Sequence, residues 1–358
     1  MGLSAAWALA RAGHRVEVLD QGPVPNPQGA SVDDHRLIRF PYGAQDGYVR
    51  MVGAAFGAWE ELWRDLGRRL FVETGTLAFD QGRPGWAAQS RAGLARCGIA
   101  YEMLTPGEMA RRFPILDSSG IAEALYLPSG GALMAGQIVA ALAQHLAARG
   151  VVVHSSQPVT GLDPDQGEVR LADRRRIRAG RIVVAAGPWA PRLLPGLARR
   201  VTPSRQVVAY LQPPAELADA WSRTPMILAI DPENGFYAVP PVAGLGLKIG
   251  DHRFTLRGDP DREREPSDEE ALAIAGLCRE RFRNFPGYRI ATARTCFYDV
   301  EPEERFILEP LGARGWLMSG FSGHGFKFAP LLGLRLATAI GGGLAPATLT
   351  RWAAGQET

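Results

Sequence analysis

The chain opens on small and apolar residues. Leu3 to Ala12 (LSAAWALARA) reads as a closely packed helix, Gly13 as its stop, and Arg15 to Leu19 as a strand ending on an acid, Asp20. A polar Pro/Gly-rich loop follows (QGPVPNPQGAS). Apolar residues then recur at three- and four-residue spacing, Val52, Phe56, Trp59 and Trp63, and predict an amphipathic helix from Tyr48 to Gly67. Residues 71 to 80 (FVETGTLAFD) read as one strand with a glycine bulge, and TPGEMARRF as a short helix opened by a Thr105/Glu108 capping box. ALMAGQIVAALAQHLAARG predicts a helix ending at Gly150 that feeds the strand VVVHS, and RIVVAAGPWAPRLL a buried strand stopping in a small-residue turn.

From Val201 to Ala293 the texture changes to alternating strands: RQVVAYLQ, GFYAVPP and LGLKIGD. The charge run DPDREREPSDEE reads as a solvated loop, with Ser267 and Glu270 capping the helix ALAIAGLCRERF. The tail returns to a strand, a glycine-rich turn and a helix (GWLMSGFSGHGFKFAPLLGLRLATAI). The expected fold class is therefore α/β. A discontinuous Rossmann-type nucleotide-binding domain (1–75, 134–200 and 295–358) carries an inserted, mostly antiparallel β domain (76–133 and 201–294). The opening matches the second half of a dinucleotide-binding βαβ unit, in which Gly2 would be the last glycine of G-x-G-x-x-G. The first strand and the first two glycines are missing, so the natural start is expected upstream of Met1.

Composition narrows the classes. Among 358 residues, 46% hydrophobic and 22% charged, the 40 basic and 37 acidic residues leave a net charge of +3, too balanced for a nucleic-acid partner. The 3 cysteines, Cys97, Cys278 and Cys296, lie far apart and form neither a disulfide framework nor a metal motif. The 6 histidines show no HxH or HExxH spacing, so no metal is expected. No apolar run is long enough to span a bilayer, and the expected location is cytoplasmic.

Lysine usage is the sharp feature. Of the 40 basic residues only Lys248 and Lys327 are lysine. Arginine cannot replace lysine where a compact ammonium with an adjustable pKa is required, so these two are candidates for chemistry; the alternative is chance survival on the surface. Lys248 falls in a strand-like LGLKIGDH. Lys327 falls in GFSGHGFKF, where Gly320, Gly323 and Gly325 offer backbone donors without side-chain bulk, as many purely structural turns also do. Cys296 sits at a strand end in RTCFYDVEPEERFIL, either an inert core residue or a reactive one, with Tyr298 on its face. In HRLIRFPYG, Arg36 and Arg39 are either surface ion pairs or a clamp for a substrate carboxylate.

In combination, the MGLSAAW helix, Asp20, GASVDDHRLIRFPYG, VVAAGPWA, LKIGDH, TCFYDVEPEERFIL and FSGHGFKF occur in order along nearly the whole chain. This sequence resembles the monomeric sarcosine oxidase family, flavoenzymes of the D-amino-acid-oxidase superfamily that oxidise secondary amines. The resemblance implies FAD, with Asp20 on the adenosine ribose and Cys296 as a thioether link to the flavin. It implies Gly2, Ser31, Arg36, Ala186, Gly187 and Trp189 along the cofactor, and Gly320, Gly323, Gly325 and Lys327 at its ring. Lys248 would promote oxygen reduction, Arg39 and Lys327 would bind the substrate carboxylate, and Tyr237, His252 and Tyr298 would line the amine pocket beside Arg36. The implied reaction takes a sarcosine-like amine to an imine, with oxygen reduced to hydrogen peroxide, in a monomer without nucleic-acid or membrane partners.

This sequence departs from the family pattern at Val32, His35 and Asp299, residues expected near the flavin edge, which leaves the particular amine open. Lacking its first strand, the chain from Met1 is expected to fold poorly or to hold FAD weakly. The alternatives are a D-amino-acid or glycine oxidase, a flavin dehydrogenase, or a flavin-binding homologue without turnover.

Overall fold

The computed structural model describes residues 1–356. The opening helix, Gly2–Arg11, packs against the late helix Ala329–Ile340. Their approach needs Gly333, because a Cβ there would lie 2.9 Å from the Ser4 carbonyl carbon. Trp7, fully buried in this contact, donates from Nε1 to Asp65 at 2.9 Å. The strand that follows, Glu17–Leu19, pairs in parallel with Val152–His154, fed by the helix Ala135–Ala148 as its periodicity predicts. A second parallel pair, Ile182–Val184 with Gly315–Ser319, is extended by the antiparallel Ile307–Leu311.

Among the described residues the largest sheet has eight strands. It runs Arg289–Val300, Thr202–Gln212, Leu247–Gly250, Phe236–Val239, Met226–Ala229, Thr76–Phe79, Ala124–Leu127 and Glu102–Leu104, antiparallel throughout except where Met226–Ala229 meets Thr76–Phe79. One face buries Leu247, Ile249, Ala209 and Phe236 in an apolar core. The strand period of two then turns Lys248, Tyr210 and Tyr237 to the opposite face. The mixed α/β expectation with an antiparallel insert holds.

Several local expectations are corrected. Residues 71–80 form two strands in different sheets, Phe71–Glu73 and Thr76–Phe79, because Gly75 at φ +74° turns the chain between them. The amphipathic helix runs Asp46–Leu66 with Gly67 as a left-handed cap, and residues 132 and 133, read as the start of the later helix, belong to the strand Gly131–Leu133. Both capping boxes form, but the helix begun by Ser267 stops at Gly276 rather than continuing to Phe282. Cys296 lies inside the long strand Arg289–Val300 rather than at its end, so the boundary expected at 295 falls within a continuous strand.

Nor is the charge run 259–266 purely solvated. Arg264 packs its guanidinium over Phe297 and Trp189, at 5.0 and 5.5 Å from the ring centres, and its Nε is buried without a partner. No helix among the described residues is long and apolar enough to cross a membrane, and no group of three or more metal-ligating side chains occurs among them.

Candidate active site

Both lysines are buried, Lys248 at 1% and Lys327 at 4% exposure, so chance survival on the surface is excluded. They line a small cavity of about 60 Å³ with Arg36, Arg39, Tyr237, His252, Tyr298, Gly323 and His324. That cavity shares Arg36, Tyr298, Gly323 and Phe326 with a much larger one of about 920 Å³, so the two meet at these residues.

The large cavity is the candidate cofactor site. Its walls include Gly2, Asp20, Ser31, Ala186, Gly187, Trp189 and Gly325, besides Asp299. The first turn of helix Gly2–Arg11, which has no side-chain cap, also lines it, so unbonded backbone N–H groups face the space. Asp20 accepts from Gly22 N at 2.9 Å and Asn26 Nδ2 at 2.8 Å through Oδ1. Gly323, which packs on the Tyr298 ring, lines the same space. The volume, a helix N-terminus and a glycine loop in its walls fit a dinucleotide such as FAD. Gly320 does not line this space: with φ +70° it turns the chain and donates its N–H to Asp299 Oδ2 at 2.8 Å.

Asp299 is itself buried, accepting also from Ser319 Oγ at 3.1 Å. Burial raises its pKa to about 6, partly offset by those hydrogen bonds. Cys296 is buried against Ala30, with Arg36 Nη2 3.6 Å from its sulfur.

In the small cavity two cations lack a carboxylate partner among the described residues. Lys327 Nζ donates to Tyr42 OH at 2.9 Å and His324 O at 2.8 Å. Arg39 bonds the Pro41 carbonyl and stacks 4.4 Å over Tyr42 and 5.2 Å over Trp86. Burial, and then the neighbouring Arg39, hold the Lys327 pKa well below its ordinary value; burial lowers Arg39 as well. Such a pair can hold an anion. His324 is kept neutral by burial and by Lys327. His252, half-buried at the wall, meets Glu304 Oε2 at 3.1 Å, and the Tyr237 ring packs so tightly on Gly250 that a Cβ there would lie 2.6 Å from Cζ.

Lys248 differs. Its ammonium is paired with Asp33, which also accepts from Tyr210 OH and lies 2.8 Å from Arg36 Nη1. Neither of the alternatives for the arginines describes both: Arg36 is a buried ion pair and Arg39 a buried unpaired cation. Asp33, Tyr210, Tyr42 and Glu304 escape the sequence reading. The signal for Asp33 was an acid three residues before Arg36, but nothing in the sequence joins residue 33 to residue 248. His35 fills the space beside Lys248, and its buried Nδ1 has no partner.

Comparison with known proteins gives the family. Residues 1–339 match the family DAO, FAD dependent oxidoreductase. The chain is 31% identical over 345 residues to the monomeric sarcosine oxidase of Streptomyces avermitilis, spanning 93% of this chain and 89% of that protein. It is 26% identical over 340 residues to the N-methyl-L-tryptophan oxidase of Yersinia pestis, spanning 93% and 90%. Among solved structures it is similar to NikD, an unusual amino acid oxidase essential for nikkomycin biosynthesis, with a TM-score of 0.80, 25% identity and coverage of 96% and 92%.

Proposed function

Because the chain belongs to the FAD dependent oxidoreductase family, we propose that it oxidises a small secondary amine bearing a carboxylate, such as an N-methyl or cyclic amino acid, to the imine. The observation that carries this reading is the pair of buried cations, Arg39 and Lys327, in a small cavity that shares wall residues with the large one. A substrate carboxylate supplies the charge they lack, in a bidentate grip by the guanidinium and a point contact by the ammonium. Tyr237, Tyr298 and His252 then enclose the amine. Tyr298 is a neutral phenol, since burial raises its pKa far above the working range. FAD supplies acceptance of the two electrons that leave with the amine's C–H and N–H protons, and oxygen, as the final acceptor, takes them with two protons to give hydrogen peroxide.

Around the cofactor, helix Gly2–Arg11 and Asp20 hold the nucleotide half, with Ser31, Ala186, Gly187 and Trp189 along its length. Cys296 is the covalent attachment point in this reading, supported by its burial beside Arg36, which lines both cavities. The protein acts as a cytoplasmic monomer.

The test is anaerobic mixing of the FAD-loaded protein with sarcosine, N-methyl amino acids, L-proline and glycine. Bleaching of the visible absorbance by a secondary amine, followed by peroxide on admitting air, is the expected result. Bleaching by glycine alone would select a primary-amine oxidase, and bleaching without reoxidation by air a dehydrogenase.

A further inference from the structure

Burying one ammonium is unfavourable, and the fold treats its two lysines in opposite ways. Lys327 is left without a carboxylate. Lys248 is given one, Asp33, which is 5% exposed and lines neither cavity. Asp33 reaches Lys248 from behind: its Oδ2 takes the ammonium and Arg36 Nη1, and its Oδ1 takes Tyr210 OH, with Arg294 Nη1 at 3.8 Å.

The geometry is fixed by register. Tyr210 stands directly across from Lys248 in the antiparallel ladder, and the Lys248 ammonium also donates to the His35 carbonyl at 3.2 Å. The other groups near the ammonium are Arg36, the His35 ring and Cys296. The His35 imidazole is neutral, since burial and Lys248 push its pKa down to about 4. Among the described residues Asp33 is the one carboxylate in contact with Lys248.

We propose that Asp33 is a positioning residue that keeps Lys248 charged and fixed at the wall of the small cavity, so that the ion pair, not a free ammonium, is what the bound flavin meets. Burial and Arg36 both drive Lys248 toward the neutral amine and leave its pKa below the ordinary lysine value, while Asp33 opposes them. Burial by itself would raise the Asp33 pKa, but Lys248 and Arg36 hold it far below the carboxylate range, so the anion beside the ammonium persists at every working pH. Without Asp33, the Lys248 pKa would fall further. The inference rests on FAD binding and not on which amine is oxidised.

The experiment compares the FAD-loaded wild type, Asp33→Asn, Lys248→Met and the double variant in pH titrations of the flavin's visible absorbance. Asp33→Asn is expected to show the Lys248 ionisation at a lower pH than the wild type, because burial and Arg36 then act unopposed. The double variant is expected to lack it. An ionisation unshifted by Asp33→Asn, or one that survives in the double variant, overturns the proposal.

Melting temperatures provide a second reading if Asp33→Asn binds FAD poorly. Asp33→Asn strands the buried Lys248 ammonium, whereas Lys248→Met leaves Asp33 its bonds to Arg36 and Tyr210, so the double variant is expected to melt higher than Asp33→Asn. A double variant that melts below Asp33→Asn would show that the two residues act independently. Neither measurement uses an amine, so a failure here is separable from a failure of the proposed reaction.

Discussion

Gly323 lies against Tyr298, where the large and small cavities meet: a Cβ built on the glycine would come 2.6 Å from the tyrosine's Cδ2. The backbone there is left-handed, at φ +76°. Both features demand glycine. Gly323→Ala is therefore expected to lose about 1–2 kcal/mol to backbone conformation and a further ~1–3 kcal/mol to overpacking. Denaturant unfolding measures the loss, and a displaced Tyr298 should also weaken amine binding.

Lys327→Met removes one of the two cations without a carboxylate. If these hold the substrate carboxylate, KM for an N-methyl amino acid should rise about tenfold to a hundredfold, the equivalent of one charge-assisted hydrogen bond. An amine without a carboxylate should show no such change. Equal effects on both would remove the carboxylate from the assignment. Stability carries a second signature. The folded-state pKa of Lys327 lies below its unfolded value of 10.5, so the unfolded chain binds more protons between the two. This contribution is unfavourable at low pH and is relieved as pH rises toward 10.5, a slope that Lys327→Met should lack.

Asp299 has the opposite sign. Its pKa rises on folding from 3.8 to about 6, so the folded state binds the extra proton in that window and stability falls as pH rises through it. Asp299→Asn keeps an acceptor for Ser319 and Gly320 while removing the charge. Above pH 6 it should be more stable than the wild type by about 1–3 kcal/mol, and the advantage should vanish below pH 4. Thermal unfolding across that range decides the matter; a pH-independent difference would mean that Asp299 is paired in solution.

Cys296→Ala separates covalent from noncovalent FAD. The intact mass of acid-denatured wild type should exceed that of the bare chain by one FAD, and the variant should lose this increment while still folding, since the change deletes a single sulfur from a small cluster beside the main cores. An unmodified wild-type mass would reduce Cys296 to a packing residue beside Arg36.

Much of the architecture was legible because its determinants are local. Both capping boxes, at Thr105/Glu108 and Ser267/Glu270, form as their spacing dictates. Helix periodicity located Asp46–Leu66, since apolar residues three and four apart must share one face. Boundaries failed where a glycine redirects the chain: Gly75 separates two strands that read as one, and nothing in FVETGTLAF states that its halves join different sheets.

The sequence by itself determined which residues were available for chemistry. Two lysines among 40 basic residues, a glycine-rich turn around one of them, and the ordered motifs that resemble a flavoenzyme family are properties of the chain as written. Only the tertiary structure decided what those residues became. Lys248 and Lys327 are equivalent as letters, yet one is neutralised by Asp33, 215 residues away, and the other faces a cavity beside Arg39 with only neutral oxygens for partners. The reason is physical: the state of a buried charge depends on the burial and the charges around it, and those neighbours come from strands far apart in sequence.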